Sequence, residues 1–252
     1  METDKPSVLL VDDNEEILEF IEDNLSEKYN ILTATDGKKA LAIIEKTTVH
    51  LVISDIVMDV MDGFELCRQI KSNFNYSHIP VILLTAKDTM QSKIQGLELG
   101  ADAYIEKPFS PQHLQVQIAN LLSNRNKIKE HFANSPLIHI KNMAYSKADE
   151  SFLEKLNNVI YRNLQNINLD VEVLANEMNM SRPTLYRKIK AISNLTPSEL
   201  IHITRLKKAA EMLSEGHYRI SEVAELVGYT SQNNFGRNFL KQFGMSPSEF
   251  LM

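Results

Sequence analysis

Cysteine occurs once in the chain, at Cys67, so no internal disulfide can form and the composition fits a reducing compartment. Nothing in the sequence gives that thiol a chemical role. No apolar run approaches the ~20 residues a membrane span needs, and the opening METDKPS is polar, so neither a signal peptide nor a transmembrane helix is expected. The expected setting is a bacterial cytoplasm, with no direct membrane contact by this chain. Strand signals are also scarce after residue 150. What remains is 43% hydrophobic and 24% charged over 252 residues, enough for one large or two ordinary globular domains.

The charge layout favours two. Residues 1 to 122 hold 20 acidic and 10 basic side chains, and residues 123 to 252 hold 13 acidic and 17 basic. An acidic half joined to a basic half predicts different partners, with nucleic acid a candidate for the basic one.

In the first half, short apolar runs recur: VLLV at 8 to 11, ILTA at 31 to 34, LVIS at 51 to 54, VILLT at 81 to 85 and AYI at 103 to 105. Stretches with helical spacing lie between them, such as Ile17, Phe20, Ile21 and Leu25. Five strands alternating with about five helices predict an α/β domain with a parallel sheet covered on both faces. Ligands of such folds bind beyond the carboxyl ends of the strands. Those ends carry Asp12 and Asp13, Asp55, Thr85, and then Lys107 before Pro108. Each alone reads as a cap, a strand residue or a solvated charge. Together they place three acids, a hydroxyl and an ammonium on one edge of one sheet. Converging carboxylates repel unless a cation sits among them, and oxygen ligands suit Mg²⁺. Asp55 can then act as a nucleophile toward a phosphoryl group, with Lys107 balancing charge and Thr85 donating its hydroxyl.

Residues 7 to 122 resemble a response-regulator receiver domain, through DD at 12 and 13, SDIVMDVMDG at 54 to 63, LLTA at 83 to 86 and KPF at 107 to 109. The resemblance implies a flavodoxin-like sheet of order 2-1-3-4-5 and Asp55 as phosphoacceptor. It implies Mg²⁺ on Asp13, Asp55 and the backbone carbonyl of Val57, with Asp12 acting largely through water. It also implies Thr85 and Lys107 on the phosphoryl group, a cis peptide before Pro108, and Tyr104 as an aromatic switch residue. One departure is Asp59, where such domains usually have proline; a different loop with intact chemistry is expected. The apolar Val57 cannot orient an attacking water, which predicts a fairly long-lived phosphoaspartate.

Residues 123 to 150 show no clear period and read as a linker, long enough to contain part of a helix running on from the receiver. Beyond them an internal echo appears at an offset of fifty. SRPTLYRKIKAISNLTPSEL (181 to 200) aligns with SQNNFGRNFLKQFGMSPSEF (231 to 250), and upstream LANEMNM parallels VAELVGY with one residue of slippage. Each copy predicts a short helix, a tight turn and a longer helix, the helix-turn-helix layout. Leu185 and Ile189, or Phe235 and Phe239, then face inward, leaving Arg182, Tyr186 and Arg187, or Gln232, Asn233 and Arg237, outward. Arginine and asparagine or glutamine can reach base edges bidentately, and two such helices can enter successive major grooves of double-stranded DNA.

Residues 152 to 251 resemble the AraC-type DNA-binding domain, through LYRKIKA at 185 to 191, TRLKKAAEMLSEG at 204 to 216, ISEVAELVGY at 220 to 229 and the pattern from Phe235 to Phe250. The resemblance implies a central helix over roughly 197 to 214. Pro183 and Gly236 stand where readable side chains are frequent, and His202 stands where arginine is common.

The expected organisation is a receiver at 1 to 122, a linker at 123 to 150 and an all-α AraC-type domain at 151 to 252. The expected function is a phosphorylation-controlled transcription regulator fed by a sensor histidine kinase. Its switch would use the face approximately at residues 88 to 122, by homodimerisation or by release within a monomer. The signatures also resemble the carboxyl-terminal part of hybrid proteins that carry the kinase in the same chain, whose parent would be membrane-anchored. Rivals are a phosphate sink or docking module, and a Mg²⁺-dependent phosphatase, which would want an acid where Val57 stands.

Overall fold

The computed structural model describes residues 5–86, 98–135 and 137–251, and the chain divides into two compact units at Arg125 and Asn126. In the first unit, strands β1 (Ser7–Val11), β2 (Asn30–Ala34), β3 (Leu51–Asp55), β4 (Val81–Thr85) and β5 (Ala103–Glu106) form one parallel sheet of order β2-β1-β3-β4-β5. Helices α1 (Glu15–Leu25), α2 (Gly37–Lys46), α3 (Gly63–Ser72) and α4 (Pro111–Asn134) complete the elements described before the second unit's own helices. Part of the expected switch face, residues 88 to 97, lies outside the described residues.

The period of two along a strand explains the layers. Leu9 and Val11, Val52, Val81 and Leu83 point to one side, where Ala40 and Ile44 of α2 and Leu66, Cys67 and Ile70 of α3 cover them. Val8 and Leu10, Leu51 and Ile53, Ile82 and Leu84 point to the other, against Leu18, Ile21 and Leu25 of α1 and Leu114 and Ile118 of α4. Both faces are dry, which is why the strands read as continuous apolar runs.

The second unit contains helices α5 (Lys147–Arg162), α6 (Val171–Glu177), α7 (Arg182–Ser193), α8 (Pro197–Ser214), α9 (Ile220–Leu226), α10 (Gln232–Phe243) and α11 (Pro247–Phe250). Helix α8 matches the expected central helix. Its first half packs Leu200, Ile201 and Ile203 into a core with α5, α6 and α7, and its second half packs Leu206, Ala209, Ala210 and Leu213 into a core with α9 and α10. The one-residue slippage has a structural cause. The turn into α7 needs the left-handed Asn179 two residues before Ser181, whereas Gly228 lies three before Ser231. Gly228 has φ +83, and a Cβ there would lie 2.4 Å from the Leu164 carbonyl oxygen, so no other residue fits.

Residues 123 to 150, expected as a linker, differ from a bare connection. Helix α4 continues through them to Asn134, a short 3₁₀ turn follows at Ile140–Met143, and Phe132, Ile140 and Met143 are buried in the core of the second unit. Phe132 lies on α4 and Ile140 and Met143 on the 3₁₀ turn, so no single period runs through the buried residues.

A buried ion pair holds the first helix-turn-helix to α5. Lys188 Nζ lies 2.7 Å from Asp149 Oδ1, both side chains almost fully excluded from solvent, with the ammonium 5.2 Å from the Phe152 ring centre. Burial pulls the Lys188 pKa down and Asp149 pulls it back up, leaving it below the ordinary lysine value. Lys188→Met alone leaves a buried carboxylate without its ammonium and is expected to cost about 3–5 kcal/mol. Pairing it with Asp149→Leu should recover most of that loss, as read by denaturant unfolding of the full chain. Equal losses in both variants would show that the pair, not the stranded charge, carries the energy.

Candidate functional site

The carboxyl edge of the sheet brings the predicted acids together around one ammonium. Asp12 follows β1 directly, Asp55 ends β3, and Lys107 follows β5, its N–H donating to the Thr85 carbonyl at 2.7 Å. Lys107 Nζ lies 2.8 Å from Asp12 Oδ2 and 2.6 Å from Asp55 Oδ1. The other oxygens are also held: Asp12 Oδ1 accepts from the Asn14 N–H at 3.0 Å and Asp55 Oδ2 from the Val57 N–H at 2.8 Å. Burial works against the Lys107 charge, but the hydrogen bonds to Asp12 and Asp55 outweigh it and raise its pKa above the ordinary value.

Capping does not account for these acids. Helix α1 is capped by Asn14, whose side chain accepts from the Glu16 N–H, and α3 is capped by Asp62. Asp12 and Asp55 are therefore buried without serving a helix end, a cost that their shared ammonium offsets. Asp13 is exposed beside them, and Thr85 is buried at the end of β4. The peptide Lys107–Pro108 is cis, as the resemblance implies. Tyr104 is half-buried on β5 and, among the described residues, its hydroxyl has no hydrogen-bond partner.

The loop after Asp55 makes a tight turn at Asp59 to Met61. The Met61 N–H donates to the Asp59 carbonyl at 2.7 Å, and Val60 takes φ +67, which a β-branched residue adopts only under strain. Val57 is 67% exposed.

Among the described residues, no group of three or more His, Cys, Asp and Glu is arranged to hold a metal ion. The donor chemistry nevertheless fits a hard cation: two buried carboxylates that share one ammonium, and an exposed third next to Asp12 in the chain, offer only oxygen.

In the second unit, α7 and α10 have the predicted outward residues. Arg182, Tyr186, Arg187, Gln232, Asn233 and Arg237 are all exposed, while Leu185, Ile189, Phe235 and Phe239 are buried. Arg182 Nη1 lies 3.7 Å from Glu172 Oε2, an exposed pair of small energetic weight. His202 is turned inward and pairs with Tyr229, its Nδ1 lying 3.2 Å from the phenol oxygen. Burial, and then Arg205 and Lys241, lower its pKa. The sequence reading missed Lys188, although its place in Leu185, Lys188, Ile189, Ile192 is the inward i, i+3, i+4, i+7 stripe.

This pairing of an acidic sheet edge with two helix-turn-helix units defines a signal-receiving regulator that reads DNA. The family models agree. The response regulator receiver domain family matches residues 8–119 and a helix-turn-helix domain family matches residues 174–252. A probable transcriptional regulator, ycf27, of Porphyridium aerugineum is 30% identical over 220 residues, covering 82% of this chain and 88% of that protein. Histidine kinase P4 of Formosa agariphila is 39% identical over 249 residues, and the chain spans 18% of its length. A receiver domain of a signal transduction histidine kinase from Syntrophus aciditrophicus is 34% identical, with a TM-score of 0.45, over 47% of this chain and 91% of that one. The chain belongs to the response regulators, with a receiver domain followed by an AraC-type helix-turn-helix domain. That is a regulator architecture and not an enzyme family. No described helix is long and apolar enough to cross a membrane.

Gly63, the first residue of α3, sets how closely that helix approaches the strand carrying Asp55. A Cβ there would lie 2.1 Å from the Asp55 carbonyl oxygen, a backbone atom with no room to yield. Gly63→Ala is expected to destabilise the first unit by about 1–3 kcal/mol through overpacking. Thermal unfolding of the full chain checks this, and an unchanged first-unit transition would show that the strand end can shift freely.

Proposed function

We propose that this chain is a phosphorylation-controlled transcription regulator in which Asp55 accepts a phosphoryl group from a sensor histidine kinase. The observation that carries it is the Lys107 ammonium shared by Asp12 and Asp55, at the sheet edge where Thr85 ends β4. A carboxylate oxygen of Asp55 forms the new bond to phosphorus as the bond to the kinase histidine nitrogen breaks. Lys107, released from Asp55, and the Thr85 hydroxyl then contact the phosphoryl oxygens. Asp13, Asp55 and the Val57 carbonyl would hold Mg²⁺ directly, with Asp12 acting largely through water, and the ion would supply charge balance for the transferred oxygens.

The functional division is a receiver at 1 to 122 and a DNA-binding domain at 151 to 252, with the segment at 123 to 150 adding Phe132, Ile140 and Met143 to the core of the second unit. The hydroxyl of Thr85 moving toward the phosphoryl group opens space into which Tyr104 can turn. That biases the face at about 88 to 122 toward a second packing. Two chains joined through that face place their DNA-binding domains on adjacent half-sites and gain effective concentration. Arg182, Tyr186 and Arg187, with Gln232, Asn233 and Arg237, contact the DNA. The match to 18% of a much longer histidine kinase supports a kinase partner in the same parent chain, as well as one in trans.

Sedimentation velocity with Mg²⁺ and beryllofluoride tests the reading. The wild-type chain is expected to shift toward dimer and Asp55→Asn to stay as it is. A shift shared by both would overturn the role of Asp55. DNA affinity that rises without a change in mass would replace dimerisation by release within a monomer. The exposed, apolar Val57 predicts slow hydrolysis of the phosphoaspartate, and a half-life of seconds in a phosphate-release assay would contradict that.

A further inference from the structure

The two helix-turn-helix units share one scaffold but present different chemistry on it. Helices α7 and α10 each run twelve residues, start from a serine N-cap, Ser181 and Ser231, and end at a left-handed residue, Asn194 at φ 60 and Gly244 at φ 75. Each is followed by a capping box closed by Glu199 or Glu249. The offset of fifty therefore holds through the whole reading helix, and outward positions can be compared one to one.

Only one outward residue is shared, Arg187 with Arg237. Arg182 stands opposite Gln232, Pro183 opposite Asn233, and Tyr186 opposite Gly236. Tyr186 is 46% exposed on α7. A Cβ on Gly236 would meet nothing within 4 Å, so packing does not demand glycine there, although glycine weakens a helix relative to alanine. What Gly236 provides is an outer surface without the ring that Tyr186 puts on the other helix.

Base edges distinguish these side chains. Arginine fits the guanine O6 and N7 pair, glutamine and asparagine fit adenine N6 and N7, and an apolar surface fits the 5-methyl group of thymine. Arg182 and Tyr186 are four residues apart and lie on the same side of α7, about 6 Å along the axis, or roughly two base-pair steps. The Arg182 pair with Glu172 is exposed and held at 3.7 Å, so it opposes such a contact only weakly.

We infer that the chain reads an asymmetric two-part operator. Helix α7 reads a part with guanine within about two base pairs of a thymine whose methyl group packs on the Tyr186 ring, and α10 reads a part with adenine through Gln232 and Asn233. The inference rests on the DNA-binding function proposed above and assigns what each helix reads. It makes Tyr186 a specificity residue that acts through its ring and not its hydroxyl.

The test is selection of bound duplexes from a random pool by the full chain with Mg²⁺ and beryllofluoride, followed by uracil-for-thymine replacement at each conserved thymine. One replacement is expected to lower wild-type affinity about fourfold, the worth of one buried methyl group. Tyr186→Phe should retain that sensitivity, and Tyr186→Ala should bind uracil and thymine duplexes alike. Arg182→Gln should relax the guanine preference beside that thymine and leave the adenine part unchanged. DNA binding with no uracil-sensitive position, or a Tyr186→Phe variant as weak as Tyr186→Ala, would overturn the inference and leave the DNA-binding function standing. No salt-sensitive affinity for any duplex would overturn that function itself.

Discussion

The receiver edge depends on one ammonium held between two buried carboxylates. Asp12 and Asp55 come from neighbouring strands, and bringing them out of water side by side is unfavourable twice, through desolvation and through repulsion. Lys107 arrives from the far end of the sheet sequence and offsets both, at 2.8 and 2.6 Å. The remaining oxygens are fixed by the N–H groups of Asn14 and Val57, so neither carboxylate is free to rotate toward solvent. The strand order makes this convergence possible: β1 and β3 are adjacent, and β4 is the single strand between β3 and β5.

The DNA-binding unit solves a different problem, that of holding two short helix pairs that could not each bury a face alone. Helices of seven and twelve residues are marginal in isolation. A single long helix, α8, lends its first half to one core and its second half to the other. Arg205 on that helix donates to the Asn166 carbonyl at 2.7 Å, while the Gly228 turn packs against the Leu164 carbonyl. The loop between α5 and α6 is thereby fastened to the turn of the second pair. Lys188 with Asp149 does the equivalent work at the other end, tying α7 to the first turn of α5.

What the sequence made legible follows from period and from punctuation. The strand runs were readable because both sheet faces are buried, and the repeat was readable because Ser181 and Ser231 cap equivalent helices. The acidic edge was readable only as a coincidence of strand ends; that Lys107 bridges Asp12 and Asp55, and that Asn14 takes over the capping, needed coordinates. The packed role of 123 to 150 was hidden because Phe132, Ile140 and Met143 are spread among polar residues, and no local pattern announces a partner core. Lys188 was hidden for the opposite reason: it lies in a clear stripe but carries a charge, and charge is ordinarily read as outward.

The energetics of the proposed switch set a condition on the edge itself. Moving a two-state equilibrium from 1:99 to 99:1 requires about 5.5 kcal/mol of differential interaction. A hydrogen bond to a charged group contributes about 1.5–3 kcal/mol and a buried unpaired hydroxyl costs about 1–3 kcal/mol. Under the proposed switch, contacts of Lys107 and Thr85 with a phosphoryl group would together supply about 3–6 kcal/mol, which meets that requirement at its upper end. Lys107 must give up its bond to Asp55 to make its contact, so its net gain is smaller than a new bond would be. The margin of the proposed switch is then narrow, so it would need both the Lys107 and the Thr85 contact.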